Sequence, residues 1–567
     1  MLSGIGASDG IGMGKVLVLK EQNISYEKYT VSDISAELER YRRAVADFTE
    51  RTNKLAEKIN QTAGKQESEI LKGHILIIED PFMNEEIEKR IKGGECAESA
   101  VENICDMFIG MFQAADDELT KQRAADVEDL KVRLLKILLN IEDIDISSLP
   151  PDTVLCVRDL TPSMTAEMDK KNIVGIVTEI GGMTSHSAII ARALEIPAVL
   201  SVKNSIEFLK NGDKAIVDGK SGKIIVNPPE NEISDYKQKK EAFLKEKAAL
   251  KKYIGQPTKT ADGIQAELVC NIGNINGADK ALQCDGEGIG LFRTEFLFMD
   301  RTQLPSEDEQ FEAYKTVALK MSGKPVIIRT LDVGGDKDIP YLNMPKEDNP
   351  FLGYRAVRYC LGNKELYSAQ LRALLRASAF GNIKIMIPMV DRIEEVREVK
   401  QLLEELKKQL ACEGIEHNKN IPVGVMMETP SASIMADVIA KEVDFFSIGT
   451  NDLTQYIMAV DRGNANVSYL YSVFNPSVLR SIRHIITCAK AENIMVGMCG
   501  EAAADKMLIP LLLSFGLDEF SVSAANVLAT RREISRWSKQ SADEIAKKVM
   551  EFSTAEEVIA YLKENTK

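Results

Sequence analysis

The C-terminal half of the sequence contains eight short apolar segments, most of them followed by a stretch whose apolar residues recur at helical spacing. This alternation over roughly 300 residues is typical of βα units and predicts a parallel (β/α)8 barrel. Since such barrels carry their chemistry on the loops after the strands, the residues that follow each segment are candidates for a functional site. The predicted strands are Ala266–Asn271, Gly288–Phe292, Val326–Thr330, Lys384–Pro388, Val423–Met427, Phe445–Ile448, Ile494–Met498 and Glu519–Ser521.

Charged side chains follow the predicted strands. Arginines that converge on one barrel mouth repel one another unless an anion neutralises them, and their planar forks suit carboxylate and phosphate oxygens. Glu428 and Asp452 supply the hard oxygen ligands that Mg²⁺ takes, with substrate and water completing its shell. The candidates are Arg293, Arg329, Asp332, Arg355, Arg358, Glu428, Asn451, Asp452, Arg462 and Cys499.

Each of these residues alone has a simpler interpretation. An arginine near a strand end is often a salt-bridging scaffold residue, and a cysteine such as Cys499 is usually a buried packing thiol. Taken together, they indicate a small substrate that carries both phosphate and carboxylate and is bound through Mg²⁺, with a thiol placed to protonate an enolate product. Phosphoenolpyruvate meets each of these requirements.

A second candidate site lies in the segment Gly181-Gly182-Met183-Thr184-Ser185-His186, which leads into an apolar helix that ends before Pro197. Backbone N–H groups at a helix N-terminus are unpaired and attract anions, so a histidine there can meet a phosphate as a nucleophile. A helix-capping or hydrogen-bonded surface histidine is the more common case for an isolated residue. Because the C-terminal half is a candidate for phosphate chemistry, the interpretation of His186 as a nucleophile is favoured.

Changes in the pattern of apolar and charged residues divide the chain into four parts. Strand-like segments around His186 predict a small α/β domain, and a long stretch of helical periodicity predicts a helical bundle of about four helices inserted into it. A highly charged helical linker then leads to the barrel. The predicted parts are 1–20 with 145–228 for the α/β domain, 21–144 for the bundle, 229–258 for the linker and 259–567 for the barrel, with breaks in the bundle near Gly64, Gly93-Gly94 and Thr120.

The composition narrows the classes of function. A formal net charge of −15 argues against nonspecific nucleic-acid binding. No apolar run reaches the length of a membrane span, and the N-terminal segment lacks the order of a signal peptide. The nine cysteines never occur in C-x-x-C spacing, which indicates free thiols in a reducing compartment and therefore a cytoplasmic protein. The four histidines form no cluster with cysteines, so no zinc site is predicted.

Eight motifs resemble one family over essentially the whole chain. In order, they are GGMTSHSAIIARALEIPAV, GLFRTEFLFMDR, IIRTLDVGGDK, NPFLGYRAVR, MMETPSAS, FSIGTNDLTQY, AVDRGN and GMCGE. Together they resemble the enzyme I family of bacterial sugar phosphotransferase systems, the phosphoenolpyruvate–protein phosphotransferases. The first motif alone would indicate only the wider group of swivelling phosphohistidine domains.

The resemblance implies a function and a set of roles. The chain would phosphorylate its own His186 at Nε2 from phosphoenolpyruvate and pass the group to the small carrier HPr, which docks on the helical insertion. Cys499 would protonate enolpyruvate, and the barrel would form a homodimer. The position of Met183 carries a different side chain in many relatives. The implied substrate contacts are Arg293, Arg329, Arg355, Asn451, Asp452 and Arg462, and the implied Mg²⁺ ligands are Glu428 and Asp452.

Related proteins offer alternatives. Pyruvate phosphate dikinase and phosphoenolpyruvate synthase share the barrel and the histidine domain, but they add a large ATP-binding domain for which this sequence shows neither room nor a Walker motif. A nitrogen-regulatory paralogue would usually carry an extra N-terminal sensory domain. A non-catalytic regulator that binds HPr is disfavoured because His186, Cys499 and the metal carboxylates are all present.

Overall fold

The computed structural model divides the chain into two compact units, Met1–Lys247 and Ala248–Lys567. At 58–62, 118–122, 125, 186, 189, 193 and 247 it describes the backbone only. The residues described are 2–19, 25–62, 73–113, 118–141, 149–160, 164, 171–182, 186–299, 301, 303–334, 339–342, 344, 347–462, 464 and 466–566.

The first unit contains an eight-stranded mixed sheet with the strand order β1-β8-β7-β3-β4-β5-β6-β2. Its central strands are buried runs rich in Val, Ile and Leu, as expected for strands covered on both faces. Separate apolar clusters pack on the two faces. The strands are β1 Leu2–Ser3, β2 Ile5–Ser8, β3 Ile11–Val18, β4 Thr153–Val157, β5 Ile173–Thr178, β6 Ala198–Leu200, β7 Lys214–Asp218 and β8 Lys223–Val226.

A helical segment connects two neighbouring strands of this sheet. Strand β3 pairs in parallel with β4, with Lys15 opposite Thr153 and Val18 opposite Cys156. All helices described between residues 34 and 138 therefore lie in the connection between adjacent strands. The predicted ends of the insertion, at 21 and 144, lie outside the described residues, so its exact limits stay a prediction.

The connecting helices pack around a core of their own, in which Tyr41 and Phe48 are fully buried. Gly93 follows the second helix, as predicted, and Gly64 lies outside the described residues. The predicted break near Thr120 lies close to the boundary between the third helix, which ends at Gln113, and the fourth, which begins at Glu118, with 114–117 outside the described residues. The helices are α1 Ile34–Thr62, α2 Pro81–Lys92, α3 Ala97–Gln113 and α4 Glu118–Leu138, with a further helical segment at 73–78.

Further helices follow in the first half of the chain. The helix that begins at His186 was predicted, and so was the charged helix after β8. That charged helix crosses the division between the two units at residues 247 and 248. The finer four-part division of the chain stays a prediction. The helices are α5 His186–Leu194, α6 Ser205–Phe208 and α7 Glu230–Leu250.

The second unit is a closed barrel in which β10 to β16 follow in chain order and β16 closes on β9, every neighbouring pair being parallel. This confirms the predicted (β/α)8 fold. Each strand end lies within one residue of its predicted position, since alternating buried strands and amphipathic helices leave a strong pattern. The strands are β9 Glu267–Ile272, β10 Ile289–Phe292, β11 Val326–Arg329, β12 Ile383–Ile387, β13 Val423–Met427, β14 Phe445–Ile448, β15 Met495–Met498 and β16 Glu519–Val522.

Side chains from several strands fill the barrel, so it is a packed core rather than a channel. The surrounding helices bury their apolar stripes against the outside of the strands. Among the helices that the structure describes, none is both long enough and apolar enough to span a membrane. The helices are α8 Gly277–Gln283, α9 Glu307–Lys320, α10 Ala356–Gly362, α11 Lys364–Ala377, α12 Ile393–Cys412, α13 Pro430–Ile434, α14 Ala436–Ile439, α15 Thr450–Met458, α16 Pro476–Ala491, α17 Ile509–Phe515, α18 Val527–Arg536, α19 Lys539–Val549 and α20 Ala555–Asn565.

Candidate functional site

The histidine loop of the first unit leads directly into a helix. His186 is the first residue of α5, while its side chain and residues 183–185 lie outside the described part of the chain. Gly181 has a φ of 112°, a conformation that favours glycine, and its carbonyl accepts a 2.5 Å hydrogen bond from Ser201 Oγ. Ser187 is buried and donates to Asp159 Oδ1 at 2.5 Å. The start of α5 is thereby fixed to the loop after β4.

The candidate residues of the second unit lie at the carboxyl ends of the barrel strands. Arg329 is the last residue of β11, Arg293 follows β10, Glu428 follows β13 and Cys499 follows β15. Asn451 and Asp452 lie in the first turn of α15, after β14. Because all eight strands are parallel, these positions meet at one mouth of the barrel.

A buried carboxylate links two of the candidate arginines. Asp332 Oδ2 lies 3.0 Å from Arg329 Nη1, and Asp332 Oδ1 lies 2.8 Å from Arg355 Nη2. All three side chains are buried. Burial disfavours the charge of Arg355, but the carboxylates of Asp332 and Asp452 raise its pKa above the ordinary value. Both arginines therefore stay charged and are fixed in place.

Arg329 has a second buried partner that the sequence did not identify. Glu295 Oε1 accepts a 2.7 Å hydrogen bond from Arg329 Nη2. Burial opposes the charge of Arg329, yet Glu295 and Asp332 raise its pKa above the ordinary value. The signal for Glu295 was present in the sequence, since it follows the end of β10 at the same spacing as the candidate Asp332 follows the end of β11.

Two further arginines have more exposed side chains. Arg293 is exposed, and its guanidinium makes no hydrogen bond or ion pair with another described residue. Arg462 Nη1 lies 3.6 Å from Asp452 Oδ1, with 39% of the arginine side chain exposed. Within the described residues Asp452 Oδ1 has no hydrogen-bond partner although it is buried. The exposed guanidinium groups of Arg293 and Arg462 can reach a charged ligand, whereas the side chains of Arg329 and Arg355 are buried.

Glu428 and Asp452 suit a cation. Burial raises the pKa of the Glu428 carboxyl, and the nearby charges of Asp452 and Asp332 raise it further. A divalent cation would relieve this repulsion and could be bound by Asp452 Oδ1, which accepts no hydrogen bond from the described residues. No group of three or more His, Cys, Asp or Glu placed to hold a metal occurs in the described chain, so these two carboxylates would need substrate or water as additional ligands.

The backbone lies close to both oxygens of the Glu428 carboxylate. A Cβ at Gly449 would lie 2.7 Å from Glu428 Oε2. The other oxygen, Oε1, accepts a 2.8 Å hydrogen bond from Met389 N. One oxygen is thus oriented by the backbone while the other meets a glycine, an arrangement that fits a metal ligand.

Cys499 lies in the same mouth and is buried. Its Sγ is 3.7 Å from the carbonyl oxygen of Ile448. Burial raises the pKa of the thiol to about 11, while the positive charges of Arg329 and Arg293 oppose the shift. The thiol is therefore protonated at neutral pH and can act as an acid. The simpler interpretations from the sequence, salt-bridging scaffold arginines and a packing thiol, also agree with part of the structure. Arg329, Arg355 and Cys499 are all buried.

Comparison with known proteins adds independent evidence. Residues 247–539 match the family model of the PEP-utilising enzyme PEP-binding domain, residues 3–123 match the N-terminal model, and residues 149–222 match the mobile-domain model. A phosphoenolpyruvate-protein phosphotransferase of Bacillus subtilis (strain 168) is 46% identical over 567 residues, which are 100% of both chains. One of Geobacillus stearothermophilus is 46% identical over 563 residues, 99% of this chain and 97% of the relative.

The chain belongs to the phosphoenolpyruvate-protein phosphotransferase family. Enzymes of this family depend on a metal ion. A solved structure of an Enzyme I protein (nEIt), determined by NMR, is 37% identical and covers 43% of this chain and 99% of that chain, with a TM-score of 0.38. The match to family members over the whole chain does not favour the nitrogen-regulatory paralogue or the non-catalytic regulator.

Proposed function

We propose that the protein transfers the phosphoryl group of phosphoenolpyruvate to Nε2 of its own His186 and then to the histidine of the carrier HPr, releasing pyruvate. This is the first step of sugar uptake by the phosphotransferase system. The observation that carries the proposal is the array of arginines, carboxylates and one protonated thiol at a single barrel mouth. Family membership supports the same reaction.

The substrate binds through two layers of positive charge. The exposed guanidinium groups of Arg293 and Arg462 contact the phosphate and carboxylate directly, together with Asn451 and Asp452. The buried Arg329 and Arg355 complete the positive surface and are held by Asp332. Since a guanidinium can bind two oxygens at once, this set fixes the orientation of the substrate as well as its position.

Mg²⁺ is the cation proposed for the carboxylates Glu428 and Asp452. Four buried carboxylates at the mouth, those of Glu295, Asp332, Glu428 and Asp452, face two buried guanidinium groups. The excess of negative charge suits a divalent cation with hard oxygen ligands. When bound, Mg²⁺ neutralises charge on the substrate and stabilises the leaving enolate.

Cys499 supplies the proton that completes pyruvate. When the P–O bond of phosphoenolpyruvate breaks, the phosphoryl group goes to His186 Nε2 and the electron pair remains on enolpyruvate. The enolate carbon then takes the proton from the Cys499 S–H. A thiol whose pKa is raised to about 11 by burial keeps that proton at neutral pH until the enolate forms.

The helical insertion offers a surface for the carrier HPr. Phe82 contacts Phe108 edge to face, with ring centroids 6.1 Å apart, although 56% of Phe82 is exposed. Met111, on the same helix as Phe108, is 60% exposed. The exposed carboxylates of Glu79 and Glu85 lie close in sequence to Phe82. An apolar surface with acidic neighbours suits a partner that presents apolar and basic residues.

We further propose a homodimer formed through the barrel unit, in the cytoplasm. Large apolar side chains are exposed on the segments that follow β11, β13 and β14, and include Leu352, Ile434 and Tyr469. Exposed apolar surface of this kind is typical of interaction sites. All nine cysteines are free thiols, as expected for a reducing compartment. Sedimentation measurements that compare the molecular mass of the wild type with that of Ile434→Asp test the dimer.

Arg293→Met tests the substrate site directly. The variant should raise the KM for phosphoenolpyruvate at least about tenfold, because a charge-assisted contact to the phosphate or carboxylate is lost. Arg397→Met is the matched control, since Arg397 forms an exposed ion pair with Glu442 on the outside of the barrel. Equal KM values for the two variants would show that Arg293 does not bind the substrate.

A further inference from the structure

Gln370 is a fully buried polar residue outside the set of substrate and metal residues. It lies on α11, and none of its surface is exposed. Its amide reaches the ends of two neighbouring strands of the barrel. Gln370 Oε1 accepts a 2.9 Å hydrogen bond from Leu331 N, two residues after Arg329. Gln370 Nε2 donates to Thr294 Oγ1 at 3.3 Å, and Thr294 follows Arg293 directly.

The hydrogen bonds around Gln370 form one consistent chain of donors and acceptors. Thr294 Oγ1 accepts from Gln370 and donates to the carbonyl oxygen of Arg329 at 2.9 Å. Tyr314 OH accepts from the same amide at 3.2 Å and donates to Gln310 Oε1 at 3.2 Å. Every named group is buried. In a satisfied buried network of this kind the positions of all members are strongly defined.

The network fixes the two strand ends relative to each other. Thr294 holds the β10 end to Arg329 at the end of β11, and Gln370 holds the Leu331 N–H just before Asp332. Leu331 is fully buried, so loss of Gln370 would leave its N–H without an acceptor. An unsatisfied buried N–H favours any backbone movement that brings it a new partner.

We propose that Gln370 is a positioning residue for phosphoenolpyruvate, acting through the spacing of Arg293 and Arg329. Its amide sets the distance between the end of β10, which carries the exposed arginine, and the end of β11, which carries the buried arginine with its partners. Gln370 does not touch the substrate. The inference rests on the proposed function, because it assumes that these arginines bind phosphoenolpyruvate.

The chain contains a closely matched control residue. Gln310 is also a buried glutamine on a barrel helix and belongs to the same network. Its amide contacts Tyr314 and the carbonyl oxygen of Pro305, at 3.2 Å each, and neither strand end. Replacement of either glutamine by methionine removes a buried amide of similar size, so both variants should lose a similar amount of stability.

The test compares the affinity of the wild type and two full-length variants for phosphoenolpyruvate in the presence of Mg²⁺. Gln370→Met should raise the dissociation constant at least about tenfold, since a displacement of the order of 1 Å at a binding group has large effects. Gln310→Met should change it by less than about twofold despite its similar loss of stability. The kcat of Gln370→Met should fall much less than its affinity, because Cys499 and Glu428 lie on other strands.

Two further variants separate the possible failures. Arg329→Met should weaken binding strongly, and unchanged affinity there would refute the proposed function itself. If Arg329→Met weakens binding while Gln370→Met and Gln310→Met are indistinguishable, the positioning role is refuted. Gln370→Glu keeps the acceptor for Leu331 N, so it should retain more affinity than Gln370→Met. Gln370→Glu also keeps the shape of the side chain. If Gln370→Met does not fold, Gln370→Glu takes its place in the comparison with Gln310→Met.

Discussion

Replacement of Asp332 by alanine should destabilise the barrel unit strongly. The buried carboxylate lies 3.0 Å from Arg329 Nη1 and 2.8 Å from Arg355 Nη2. Removing one partner of a buried ion pair costs about 3–5 kcal/mol, because the remaining charge is left uncompensated. Glu295 still pairs with Arg329, and Asp452 lies 3.8 Å from Arg355. We therefore expect the lower end of the range, about 3 kcal/mol.

The single tryptophan of the chain, Trp537, provides the assay, because it belongs to the barrel unit and its fluorescence follows the unfolding of that unit. At about 2–4 °C per kcal/mol, Asp332→Ala should lower the midpoint of thermal unfolding by about 6–12 °C. The control is Asp279→Ala, which removes a partly exposed pair with Lys320 worth about 0–1 kcal/mol. A midpoint shift no larger than that of the control would refute the buried bridge.

Three further predictions concern the chemistry of the mouth. Cys499→Ala should bind phosphoenolpyruvate normally but lower forward turnover by about 10²–10⁴-fold; weaker binding with normal turnover would indicate a packing role. In the wild type, the rate of Cys499 alkylation, followed by peptide mass spectrometry, should still increase with pH above about pH 9. The reason is that burial raises the pKa of the thiol to about 11 and the thiolate is the reactive form. A rate that reaches a plateau below that pH would contradict the burial argument. Glu428→Gln should raise the Mg²⁺ concentration needed for half-maximal phosphorylation at least about tenfold; an unchanged requirement would exclude Glu428 as a ligand.

The barrel could be predicted from the sequence because its strands and helices leave local patterns. Short buried strands and amphipathic helices alternate, and eight such units in succession are what a closed (β/α)8 barrel requires. The predicted meeting of Arg293, Arg329, Glu428 and Cys499 follows from the same pattern, since the carboxyl ends of parallel strands share one mouth. In the helical bundle, the break predicted near Thr120 lies close to the boundary between α3, which ends at Gln113, and α4, which begins at Glu118.

The pairing of the buried groups could not be predicted. Gln370 and Thr294 are 76 positions apart in the chain, and Arg329 and Glu295 are 34 apart. Nothing in local periodicity states which buried polar residues meet across helices and strand ends. These contacts depend on how α11 packs against the barrel, which is a property of the folded chain. The histidine site remains a prediction from sequence, since the side chain of His186 lies outside the described residues.

The central claim is that a phosphoryl group passes from phosphoenolpyruvate to His186. The most direct test mixes the purified full-length protein with Mg²⁺ and ³²P-labelled phosphoenolpyruvate and maps the label by peptide. The account predicts acid-labile, base-stable label on the single peptide that contains His186. It also predicts none in His186→Ala, whose barrel should unfold at the wild-type midpoint. Label that persists in His186→Ala, or a wild type that takes up no label, would contradict the account.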